Sequence, residues 1–157
     1  MRKIQFRGKE LYTGKWVKGF YSEGGSIEPK TNVIIPRHLI HANVLYDVDP
    51  ATVGQFIGIC DKHHKRIFEG DIVKRICKDG YDRNEYGKVV FIKTCFMLNL
   101  RVAEYDNSRR SRIYQDEEDS TVSFINGDIL GGQSPVEEEY EYEIVGNIYD
   151  NPELLKV

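Results

Sequence analysis

Long apolar runs are missing from this chain. No stretch approaches the roughly 18 to 20 apolar residues that a membrane-spanning helix needs, and the opening MRKIQFRGKE is basic but is not followed by an apolar segment of signal-peptide length. A cytoplasmic protein without membrane contact is therefore expected. Cysteine is scarce too: Cys60, Cys77 and Cys95 form an odd set without close pairs, which speaks against a disulfide framework and for reduced thiols in strands. Also missing is any strong catalytic or metal signature. There is no G-x-S-x-G elbow and no cysteine with an evident histidine and orienting partner. Cys60 and His63 have C-x-x-H spacing and His38 and His41 lie three apart, but no C-x-x-C pair accompanies them. GKELYTGKW fails as a phosphate loop, because five residues separate Gly8 from Gly14 and Trp16 stands where a hydroxyl must meet magnesium. No enzyme activity, metal or cofactor is expected, and a metal-binding or hydrolytic enzyme is the minor alternative.

What is present is β-forming. Tyr and Phe number 10 and 7, β-branched residues are frequent, and turn signals recur about every ten residues, whereas helical periodicity is hard to find. KIQFR and KWVKGFYS flank GKELYTG and predict a first hairpin. NVIIP is a short apolar run, and RHLIHANVLY suits either a helical turn or an irregular strand. From Thr52 onward TVGQFIGIC and IFEGDIVKRIC read as strands. KDGYDRNEYG reads as a long polar turn, and KVVFIKTCFMLNLRV as strand with a bend or hairpin near Lys93 and Thr94. EYDNSRRSRIYQDEEDS reads as an exposed loop or ragged hairpin. Asn126-Gly127 is a hairpin signal, and EYEIVGNIYDNPELL predicts a strand, then Asn151 and Pro152 opening one helical turn.

Asp71 and Asp128 each follow a glycine and are expected to bond nearby amides at a strand entrance. Val53, Phe56, Ile59, Ile67, Phe68, Ile72, Val89, Phe91, Ile144 and Ile148 are the expected core, with Gly54, Gly58, Gly70 and Gly146 at corners of a strongly bent barrel.

The segment DPATVGQFIGICDKHHKRIFEGDIVK, Asp49 to Lys74, resembles the signature of the YopX family of phage and prophage proteins. The ending EIVGNIYDNPELL and the opening KIQFRGKELYTGKWVKGF resemble that family's two ends. The resemblance implies an all-β fold containing a small SH3-like barrel, and it brings no catalytic residue with it. The expected organisation is an N-terminal hairpin region over residues 1–48, packed on a bent barrel over 49–157, with little helix. His63-His64 stands where relatives have a turn such as Asn-Gly, which marks a loop tip.

Charge narrows the role. The net charge is −3, against a generally basic nucleic-acid binder, yet Met1 to Lys18 carries six Lys/Arg against Glu10, and Glu137 to Glu143 holds five glutamates. Such asymmetry fits self-association, a charged partner, or solvated strand faces. The expected function is a non-enzymatic module that binds a protein partner or itself. Its candidate surface is Lys62, His63, His64, Lys65 and Arg66 with Arg7, Lys9 and Trp16. The alternative is nucleic-acid binding, with Lys/Arg on phosphates and aromatics on bases. Alternation along the strand would send Lys74 and Arg75 to opposite faces.

Overall fold

Short alternating segments separated by tight turns produce antiparallel ladders throughout. The computed structural model describes residues 4–23, 32–37, 44–77, 83–92, 95–105, 110–113, 121–123 and 140–155. The chain divides into two compact units, Met1–Ile59 and Cys60–Val157. The fold is all-β, as expected. Among the described residues the helical pieces are the short 3-10 turns Pro50–Thr52 and Pro152–Leu155.

In the first unit β1 (Phe6–Lys9) and β2 (Trp16–Glu23) form the expected hairpin, from Phe6 opposite Gly19 to Lys9 opposite Trp16. Its turn is closed by the Glu10 amide on the Lys15 carbonyl, at 2.9 Å. β2 pairs with β3 (Asn32–Ile35), and β3 with β4 (Tyr46–Val48). The earlier part of RHLIHANVLY, residues 38–43, lies outside the described residues.

β4 then returns to where β1 ends. Val48 bridges Glu10, the Leu11 amide donates to the Asp47 carbonyl and the Asp49 amide to the Lys9 carbonyl, both at 2.9 Å. The ladder of β1 to β4 thus closes on itself around Val33, Ile34 and Val48, which are almost wholly buried. Gly8 makes the closure feasible: a Cβ there would lie 3.1 Å from Val48 Cβ and 3.2 Å from Ile34 Cδ1. On its other side β1 takes β5 (Gly54–Cys60), with Phe6 opposite Gln55. The connection is set by Asp49, whose Oδ1 accepts from the Ala51 amide at 3.0 Å, and by Thr52, whose Oγ1 accepts from the Lys9 amide at 2.8 Å.

The second unit continues with β6 (Arg66–Phe68), β7 (Asp71–Cys77), β8 (Arg83–Ile92), β9 (Cys95–Tyr105), β10 (Arg110–Ile113), β11 (Thr121–Ser123) and β12 (Tyr140–Asn147). The sheet order is β10-β9-β8-β7-β12, with β11 also on β9. Ile67, Phe68, Ile72, Val73, Val89, Leu98 and Leu100 fill its core. Asp71 does what its position after Gly70 predicts, its Oδ2 accepting from the Phe68 amide at 2.8 Å. Asn126, Gly127 and Asp128 lie outside the described residues.

Two expectations are corrected. The polar stretch up to Gly87 is not all turn, since β8 begins at Arg83. Glu85 belongs there because it is answered across the ladder: it stands opposite Arg75, and Arg75 Nε donates to Glu85 Oε2 at 2.7 Å with Glu85 only 2% exposed. Phe91 is not core but 52% exposed. It faces Phe96 across the β8–β9 hairpin, ring centroids 4.9 Å apart, close to the tip where Ile92 pairs with Cys95.

Candidate functional site

Lys62 to Lys65 of the cluster KHHKR sit on a five-residue turn organised by the aspartate before them, with Arg66 beginning β6. Asp61 is 5% exposed. Its Oδ1 accepts from the amides of His63 and Lys65, at 2.9 and 2.8 Å, and its Oδ2 from the amide of Ile144 at 3.4 Å. The backbone adds Asp61 amide to Lys65 carbonyl at 2.8 Å and His64 amide to Asp61 carbonyl at 2.9 Å. His64 has φ +62°, so it takes the left-handed position that the glycine of an Asn-Gly turn would fill.

The turn lies along the outer edge of β12. The Lys62 amide donates to the Tyr142 carbonyl at 2.8 Å, so Tyr142 and Ile144 both turn their outward backbone groups to residues 61 and 62. Lys62 Nζ reaches Glu143 Oε2 at 2.7 Å, and His63 Nε2 lies 3.7 Å from Glu143 Oε1. Lys62, His63 and His64 are exposed, and two of the three side chains converge on one glutamate.

The electrostatics follow the bonding. Burial disfavours the charged form of Asp61, but the amides of Lys65, Ile144 and His63, with help from any charge on His63, outweigh it and hold the carboxyl below its usual range. Glu143 is also held low, first by the hydrogen bond from Lys62, with burial opposing and the charges of Lys62, Lys74 and His63 assisting.

The remaining predicted residues belong to the first unit. Arg7 and Lys9 lie on one face of β1 with Trp16 opposite Lys9, and both cations sit over the indole, 4.6 and 5.6 Å from its centroid. Arg7 is only 8% exposed, so it serves packing as much as charge. Arg66 is half-buried on β6, while His64 and Lys65 are exposed. Lys74 and Arg75 take separate aromatic partners, Tyr86 and Tyr140, at 5.9 and 4.3 Å.

Two features escape the sequence reading. One is Asp61 itself, overlooked beside two histidines; the signal was an aspartate two and four residues ahead of polar amides, the pattern of a side chain that mimics a backbone turn. The other is the closed end of the first unit, where Leu11 and Tyr12 at the β1–β2 tip are 54% and 78% exposed and Leu45 is 45% exposed. The Leu11 to Asp47 bond holds that tip against the β4 segment. Among the described residues no group of three or more His, Cys, Asp or Glu is arranged to hold a metal ion.

No curated protein matches the chain. Among solved structures it is similar to protein EF1440 from Enterococcus faecalis, at 19% identity over 99% of this chain and 100% of that one, with a TM-score of 0.47. The sequence pattern of the YopX protein family matches residues 5–156, nearly the whole length, and the chain belongs to that family.

Proposed function

We propose that this YopX family member is a non-enzymatic accessory protein of phage or prophage type, acting in the cytoplasm as a protein-interaction module. The contact surface is the closed end of its first unit, and it engages a protein partner or a second copy of the chain. The observation that carries this reading is the exposure of Leu11 and Tyr12 beside Leu45. An exposed aromatic and two exposed leucines, on segments joined by the bond from the Leu11 amide to the Asp47 carbonyl, suit a protein contact better than water. The cations lend less support to nucleic-acid binding: Lys62 is engaged by Glu143, Arg75 by Glu85, and Arg7 lies nearly buried over Trp16.

The test is to install a photoreactive phenylalanine analogue at Tyr12 and irradiate the protein alone and in host extract. Cross-links to itself or to one discrete protein, competed by unlabelled wild type but not by a Leu11→Glu/Tyr12→Glu variant, support the reading. Competition by both competitors alike, or no discrete adduct, refutes it. Single-stranded and duplex DNA in a low-salt retention assay cover the alternative, which requires salt-dependent binding.

A further inference from the structure

The edge of a sheet is a template for another strand, and proteins cover such edges with charges, bulges or loops. On β12 the cover is the Asp61–Lys65 turn. It takes the Tyr142 carbonyl and the Ile144 amide of β12. It adds an ionic attachment, Lys62 with Glu143.

We propose that Asp61 is the pin of a releasable guard, which closes the outer edge of β12 while the carboxylate is charged and opens it when that charge is removed. The inference is independent of the contact surface proposed above. It rests on how the two oxygens divide their work. Oδ1 serves the turn's own amides, of His63 and Lys65, whereas Oδ2 serves Ile144 across the gap. Removing the charge, or replacing Oδ2 by an NH2 group, faces the Ile144 donor with another donor and leaves the turn itself bonded. The titratable and charged groups around the pin are Lys62, His63, His64 and Lys65 of the turn, Tyr142 and Glu143 of β12, and Lys74 and Arg75 of β7. Acid releases the guard through the two carboxylates, Asp61 and Glu143. The depression of both carboxyls places release below the ordinary carboxylate range.

The experiment is residue-resolved amide exchange on the full chain, expressed as protection factors. In Asp61→Asn at neutral pH, Ile144 is expected to lose about tenfold or more of its protection, as for a lost bond to a charged acceptor. His63, Lys65 and the core amides of Val73 and Leu98 should keep theirs. In the wild type the same selective loss at Ile144 should appear on acidification, before Val73 and Leu98 open. Equal protection of Ile144 in wild type and Asp61→Asn overturns the proposal. If that variant does not fold, the wild-type titration decides: Ile144 protected until Val73 and Leu98 open together with it overturns the proposal equally. Glu143→Gln, which leaves the pin intact, should weaken protection at Ile144 less than Asp61→Asn.

Discussion

Replacing Glu85 by leucine leaves the Arg75 guanidinium in the sheet without its carboxylate. Both Nε and Nη2 of Arg75 bond Glu85 Oε2, and the side chains are 11% and 3% exposed, so water screens the pair poorly and cannot replace the lost partner well. Breaking a buried ion pair from one side costs about 3 to 5 kcal/mol. Arg75 also lies 4.3 Å from the Tyr140 ring centroid, a contact that survives the substitution, so the lower end of the range, about 3 kcal/mol, is expected. With a urea dependence of about 1.5 kcal/mol/M, the midpoint of the second unit falls by about 2 M. Far-UV circular dichroism, with amide exchange at Val73 and Leu98, is the right readout, because the single tryptophan, Trp16, lies in the first unit. The companion variant Arg75→Met/Glu85→Leu removes both charges and should recover to within about 1 kcal/mol of wild type. A loss below about 1 kcal/mol for Glu85→Leu alone, or a double variant no better than the single, would refute the assignment of these residues as a mutually dependent pair.

Gly19→Ala should cost more than about 3 kcal/mol, since a Cβ there would lie 2.0 Å from the Ile35 carbonyl oxygen and force β2 off β3; urea unfolding followed by Trp16 fluorescence checks it. His64→Gly should stabilise by about 0.5 kcal/mol or more, the relief of a left-handed residue partly offset by chain entropy, and a melting temperature at or below wild type would contradict it. The pH dependence has a definite sign. Asp61 and Glu143 have folded pKa values below their unfolded ones, so their stabilisation is present above the ordinary carboxylate range and is lost as pH falls through the lower folded values. Urea midpoints of the second unit should therefore hold down to that range and decline below it, with a shallower decline in Asp61→Asn and in Glu143→Gln.

Local chemistry was legible in the sequence where its cause is local. The hairpin over GKELYTG and the Asp71 side chain on the Phe68 amide follow from residues a few positions apart. Ile92 pairs with Cys95 on either side of Lys93 and Thr94, where the bend or hairpin was read and which lie outside the described residues. What composition could not show depends on partners far along the chain. Arg83 to Gly87 looks like a turn until Arg75 supplies a partner for Glu85, and Phe91 looks like core until the hairpin tip places it against Phe96. At the site, the cluster from Lys62 to Lys65 was rightly a loop tip, but its orientation is decided by Glu143 and Ile144, about eighty positions later. Arg7 and Lys9 were read as part of a candidate interaction surface, and their shared position over the Trp16 indole was not legible from the sequence.

The closure of β4 onto the end of β1 has a consequence for how the protein is made. During synthesis the β1–β2 hairpin emerges ahead of β3, β4 and β5, and an isolated two-stranded hairpin is marginal in water. Val48 and Asp49 must leave the ribosome before Glu10 and Lys9 gain their partners, and Gln55 before β1 is flanked on both sides. A nascent chain halted short of that point leaves Val33 and Ile34 without Val48 and the outer edge of β1 unpaired, so closure of the first unit waits on residues 48 to 55.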